Sequence, residues 1–246
     1  MFSDITTGAT CLGRGLKIIS QPGIRRYVVM PLLINIFLFG GLIWIGYAQF
    51  SPLVESAMSY VPGFLDFLRW IIWLLITVLT AVIVFFTFTP IANVVAAPFN
   101  ALLSEKIELK LTGKDIGSGS GFIKMIHDSV LSQFRKLVYI LLWSAALLLV
   151  SIIPLINFLA PLLWVVFGSW LISLEYLDYP MGNHELSFTR ERQILSKRRG
   201  LSLGFGGSVM VLTSIPLLNF IVMPVSVAGA TVLWVEQLAR INSELA

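Results

Sequence analysis

One cysteine, two histidines and a charged fraction of 12% are the first limits this 246-residue chain sets on itself. The lone thiol, Cys11, has no partner for an internal disulfide, and His127 and His184 are too far apart in sequence to make a metal site by themselves. Soluble domains carry about 25% charged residues, so a soluble fold of this length could not cover its surface with what is present. The phosphate-binding pattern G-x-x-x-x-G-K-[ST] is missing, since Gly113-Lys114 is followed by Asp115. H-E-x-x-H and G-x-S-x-G are missing as well. The Gly117–Gly121 run lacks a strand–loop–helix setting and reads as a linker. No catalytic constellation, metal or cofactor is therefore expected.

What the chain does have is apolar sequence, 57% of its residues. Its net charge of +4 is gathered in patches between apolar runs, which suits an anionic membrane surface rather than nucleic acid. The first run, Tyr27–Ala48, has 22 residues and the second, Trp70–Ala97, has 28 with no charge. Either exceeds the roughly 20 residues that a spanning helix needs. The first is longer than the apolar stretch of a signal peptide and ends without a small-residue cleavage site, so it reads as a retained membrane helix. Between the two, Gln49–Arg69 holds Pro52, Glu55, Pro62, Gly63 and Asp66, a turn-rich connection suited to water.

The third run, Leu137–Leu174, and the fourth, Leu201–Val235, share an internal repeat. Ile153-Pro-Leu-Ile-Asn-Phe158 is followed by Pro161, and Ile215-Pro-Leu-Leu-Asn-Phe220 by Pro224. Proline removes a backbone donor and disfavours helix at the residue before it, so each run is expected to be two helices joined by a tight, uncharged turn. In the fourth run the limbs Leu201–Ile215 and Val225–Val235 have 15 and 11 residues. These are about 22 and 16 Å long, short of a roughly 30 Å hydrocarbon core. A hairpin that dips into the bilayer and returns fits those lengths, and its turn must be buried in protein or line a wet cavity. An ordinary spanning pair with an apolar turn is the alternative for both runs.

Sixteen of the 17 basic residues fall on one side under this arrangement, and only Arg69 falls on the other. The positive-inside rule then places both termini in the cytoplasm. On that side the second long helix is expected to continue to about Leu111 and to end at Gly113, and Phe122–Lys136 forms an amphipathic helix suited to the membrane surface.

The strongest anion-site candidate is Pro22-Gly23-Ile24-Arg25-Arg26, directly before the first run. A helix start offers unpaired N–H groups and the positive end of its dipole, and two guanidinium groups add forked donors for a tetrahedral oxyanion. Arginines flanking a first membrane helix also commonly serve topology alone. Glu175, Asp178, Tyr179 and His184 gather at the exit of the third run and Asn93 near the end of the second. Ionisable groups beside a membrane segment are functional candidates, although interfacial water can solvate them here. Glu236 and Arg240, four apart, are expected to pair along one helix.

Several of these stretches together resemble one family. Gly23-Ile-Arg-Arg-Tyr-Val-Val-Met-Pro-Leu-Leu-Ile-Asn35, Ala97-Pro-Phe-Asn100 with Glu105, Leu177-Asp-Tyr-Pro-Met-Gly-Asn-His184 and the paired Pro-Leu-x-Asn-Phe turns are similar to the CysZ sulfate permeases. The likeness covers essentially the whole chain. It implies an all-α integral protein of the bacterial inner membrane, with two long transmembrane helices, two half-penetrating hairpins and cytoplasmic amphipathic helices. It further implies homo-oligomers in the lipid bilayer that conduct sulfate inward without ATP to feed cysteine synthesis. The family's Gly-Leu-Arg sulfate motif with its adjoining Arg falls on Gly23, Ile24, Arg25 and Arg26, with Ile24 in place of Leu. Glu105 matches a charged network suggested to line the pathway. The boundaries expected are one membrane domain, with spans at 27–48 and at 70–97 continuing to about 112, and hairpins at 137–174 and 201–235. A membrane scaffold or biogenesis factor, whose hairpins pack on partners, is the rival reading. An intramembrane enzyme ranks last, for want of acid–base or metal clusters.

Overall fold

The structure is a computed structural model and describes residues 2–59, 69–115, 122–215 and 218–245. Pro62–Gly63, the Gly117–Gly121 linker and the Pro216-Leu217 pair of the second repeat lie outside the described residues, as do the side chains of 122–133 that carry most of the expected amphipathic stripe. All regular structure among the described residues is helical. Two compact units form, one from Met1–Arg25 with Asn100–Ala246, the other from Arg26–Phe99.

The second unit consists of most of α2 (Arg25–Ser59) and the first two-thirds of α3 (Arg69–Thr112). Both are uncharged for long stretches. Pro31 and Pro52 each remove one backbone bond from α2 without ending it. Phe39 meets Phe88 edge-on at 4.9 Å, and Gly46 lets Thr80 approach. Only 6% of the apolar windows Arg25–Pro52 and Trp70–Phe88 is buried within the chain. Surfaces that apolar need lipid or other protein to cover them.

The first unit is built around α8 (Asn219–Leu233), which continues through a widened π turn (Trp234–Leu238) into α9 (Ala239–Leu245). The window Ile221–Glu244 is 67% buried. Packed beside it are α1 (Phe2–Ile19), α5 (Ala160–Asn183) and α7 (Arg199–Thr213), with α4 (Phe122–Ile152) and α6 (Phe188–Lys197) flanking α5.

The sequence reading passed over α1. Its ends suit the helix dipole, with Asp4 in the first turn and Lys17 in the last. Cys11, Leu12 and Ile19 are buried on one face. Close packing depends on small residues: a β-carbon on Gly8 would collide with the Leu201 carbonyl, and one on Gly204 with the backbone of Ile5. Two ion pairs complete the docking, Arg14 forked onto Glu236 and Arg198 onto Asp4 at 2.7 Å. The Arg198 guanidinium holds the Asp4 carboxyl below its ordinary value.

Two details depart from expectation. Glu236 pairs with Arg14 and not with Arg240, which reaches Glu244 at 3.6 Å. The forked Arg14 guanidinium engages both carboxylate oxygens of Glu236, a stronger partner than a single exposed contact along the helix. The limb after the second repeat begins at Asn219 and not Val225, because Pro224 costs one bond inside α8 without stopping it.

Among the described residues, five helices are long and apolar enough to cross a membrane: Arg25–Pro52, Trp70–Phe88, Phe134–Ile152, Asn157–Asn183 and Ile221–Glu244. Both limbs of the first hairpin are among them. The 15-residue α7 is not, at about 22 Å. Between α4 and α5 the repeat forms a turn closed by the 3-10 segment Asn157–Leu159, with Leu155 86% and Phe158 74% exposed.

Candidate functional site

The candidate anion site is a helix entrance made by a glycine turn. After α1 the chain turns through Ser20–Ile24. The Gln21 carbonyl accepts from the Ile24 and Arg25 amides, both at 3.2 Å. Gly23 sits at φ +89°, a region that other residues enter only with strain, and no atom crowds the place a β-carbon would take. Conformation, not space, calls for glycine there. Ile24 is buried at 4% exposure and anchors the turn.

Helix α2 then starts at Arg25. The N–H groups of its first turn lack partners inside the helix, so the positive end of the dipole is open there. The Ile24 and Arg25 amides, by contrast, are already spent on Gln21. Both arginine side chains are exposed. The Arg25 side chain makes no ion pair or hydrogen bond among the described residues, so it does not join Glu105. Arg26 leans on its neighbour, donating from Nη2 to Tyr27 Oη at 3.0 Å with its guanidinium 4.9 Å above the ring. That contact fixes the side chain without neutralising its charge.

Polar contacts also join the last turns of α3 to α5 and α8. Asn100 donates to Tyr179 Oη at 3.3 Å, Asn183 to the Ala101 carbonyl at 3.0 Å, and Thr231 to Ser104 Oγ at 2.9 Å. Glu105 pairs with the adjacent Lys106 at 2.6 Å. One turn on, Glu108 is buried, with Oε1 2.8 Å from His184 Nε2 and Oε2 unpartnered. The His184 ring lies 5.2 Å from that of Trp234.

A second cluster surrounds Lys136, which reaches Glu175 at 2.7 Å and Asp178 at 3.2 Å. Glu191 of α6 completes it at 2% exposure. Burial, then the charge of Asp178 and a hydrogen bond with it, push the Glu191 carboxyl up to about 9. It therefore carries a proton at neutral pH.

Of the residues singled out from sequence, Gly23, Ile24, Arg25 and Arg26 share one turn. Glu175 and Asp178 converge on Lys136, and Tyr179 and His184 face the end of α3. Glu108 and Glu191 escaped notice. Their partners, His184 and Asp178, are distant in sequence, and the only available hint was an acid on an otherwise apolar helical face.

The profile of the family described as Sulfate transporter CysZ/Etoposide-induced protein 2.4 matches residues 11–224. The chain belongs to this family. The match begins inside α1 and ends inside α8, so it spans both units and the glycine turn. Similar proteins include Sulfate transporter CysZ of Pseudomonas fluorescens (strain Pf0-1), 42% identical over 240 residues covering 96% of each chain. That of Pseudomonas paraeruginosa (strain DSM 24068 / PA7) is 42% identical over 234 residues, 94% of this chain and 95% of the relative. That of Pectobacterium atrosepticum is 40% identical over 236 residues, 94% and 85% of the two chains.

Proposed function

We propose that this chain carries sulfate into the cytoplasm along a channel-like path that uses no ATP, supplying sulfur for cysteine synthesis. The dianion is first held by Arg25 and Arg26 and by the open amides where α2 begins, with Gly23 and Ile24 shaping the turn. The observation that carries the reading is this glycine-shaped entrance: two exposed guanidiniums, neither paired with a carboxylate among the described residues, at the mouth of a spanning helix. Sulfate has two charges and no proton to give at neutral pH, so it needs dense donors; forked guanidiniums and a helix dipole supply them in water-exposed geometry. The relatives' shared name, Sulfate transporter CysZ, agrees with that chemistry.

Both termini lie on the Lys/Arg-rich side, which is the cytoplasmic face of the inner membrane. The 15-residue α7 supports a second hairpin that does not cross the core. The first hairpin, whose limbs have spanning length, dips in the same way only if its limbs tilt or rise above the core. Glu105 lies on the pathway beside the polar residues that close α3. Several copies assemble so that the exposed apolar faces of the hairpins are covered by protein as well as lipid.

The direct test is uptake of labelled sulfate into ATP-free liposomes holding the purified protein. Uptake well above empty vesicles, competed by unlabelled sulfate, is expected. Uptake equal to empty vesicles from a well-folded preparation would contradict transport and favour the scaffold.

A further inference from the structure

The groove between α4 and α5 in the first unit ends at two arginines that the sulfate reading does not use. The groove has a volume of about 530 Å³, and its apolar part is lined by Trp143, Leu147, Leu163, Val166 and Phe167. At its mouth Trp170 Nε1 donates to Tyr139 Oη at 3.1 Å, which holds two aromatic side chains as a rigid rim. Arg192 lies over the Tyr139 ring at 5.1 Å, and Arg199 and Ser196 complete the same end. Beyond the rim the groove opens into a basic pocket of about 680 Å³ that shares Arg192 and Ser196 and adds Arg190, Gln193 and Lys197.

Two features of this site point to one class of occupant. Neither Arg192 nor Arg199 is paired with a carboxylate among the described residues, so the end of the groove has positive charge and no protein anion to meet it. The apolar slot behind them follows α4 from Tyr139 to Leu147, about 12 Å of helix, and a free oxyanion would leave that length empty. A phosphodiester with acyl chains fills both parts. Its phosphate takes the forked guanidinium donors, and a chain lies on Trp143, Leu147 and Leu163. Tyr and Trp at the junction match the polar–apolar boundary of a lipid.

We infer that the α4–α5 groove is a binding site for an anionic phospholipid, with its headgroup on Arg192 and Arg199 and an acyl chain in the slot behind Trp143. The lipid then acts as a structural ligand at the basic end of the first hairpin.

Native mass spectrometry of the full chain in detergent, with dioleoyl phosphatidylglycerol or dioleoyl phosphatidylcholine added, tests this. The wild-type protein retains phosphatidylglycerol with a preference of about tenfold or more, as two juxtamembrane arginines allow. Arg192→Gln/Arg199→Gln brings the two lipids within about twofold of each other. Leu163→Trp, which fills the slot, weakens both. Lys114→Gln, an exposed charge elsewhere in the unit, leaves the preference intact. Equal retention of both lipids by the wild-type chain would overturn the inference, and so would a preference that survives the double substitution. Displacement of phosphatidylglycerol by millimolar sulfate or inorganic phosphate would overturn it too, since the arginines would then serve a free oxyanion. If the double variant does not fold, the wild-type comparison and Leu163→Trp still decide.

Discussion

At the residue scale, the candidate entrance depends on one backbone angle. Gly23 at φ +89° turns the chain so that α2 starts with Arg25 and Arg26 side by side. Gly23→Ala has room for its methyl but pays about 1 kcal/mol for the left-handed conformation, which relaxation of the turn would relieve. Sulfate affinity measured by calorimetry is expected to fall about tenfold, while the thermal midpoint moves little. Unchanged affinity would show that the turn does not shape the site. The Arg25–Arg26 candidate was legible because charge, glycine and an apolar run are adjacent in sequence. The Glu108–His184 and Lys136–Glu191 groupings were not, since only folding brings their members together. Glu191 makes a pH prediction of definite sign. Its carboxyl titrates near 9 in the fold against an ordinary 4.5, so the folded protein binds more protons than the unfolded chain between those values. Its contribution is complete below about pH 4.5 and is lost as pH rises through 9. Glu191→Gln should therefore be more stable than wild type near pH 9 and show a flatter dependence on pH, followed as thermal midpoints in detergent. A wild-type profile no steeper than the variant's would contradict the buried proton.

At the element scale, α1 shows where sequence pattern falls short. It has no long apolar run, and glycines and threonines lower its helical propensity, so neither membrane nor helix signals stand out. Its stability comes from tertiary contact: Gly8 and Gly15 lie seven residues apart, two turns along one face, and let α1 approach α7 and α8 at backbone distance. Gly204→Val is expected to cost about 1–3 kcal/mol by overpacking and to expose α1 to trypsin at Arg14 and Lys17. Gly13→Val, where a β-carbon meets open space, should leave the cleavage rate unchanged. Equal cleavage in both variants would mean that α1 does not rest on this contact. The long apolar helices and the proline turn of the first hairpin were readable directly, because length and hydropathy report on the bilayer itself. The start of α8 was not, since a proline inside a helix and one before it look alike in sequence.

At the scale of the whole molecule, the depth of the first hairpin remains a matter of bilayer geometry, because Phe134–Ile152 and Asn157–Asn183 both have spanning length. Leu155→Cys reports on it. Cys11 is silent to maleimides, being 1% exposed with its thiol pushed up to about 11 by burial and then by Glu236. A dipping hairpin leaves the new thiol unlabelled by a membrane-impermeant maleimide added from the side opposite the basic residues. Rapid labelling from that side would make the hairpin an ordinary spanning pair and remove one of the two proposed half-penetrating elements. Transport itself would survive that outcome. What the account cannot survive is an empty entrance. Calorimetric titration of the folded, detergent-purified chain with sulfate, beside the Arg25→Gln/Arg26→Gln variant, measures it directly: the account predicts saturable binding in the wild-type chain that disappears in the variant, and identical titrations of the two proteins would contradict it.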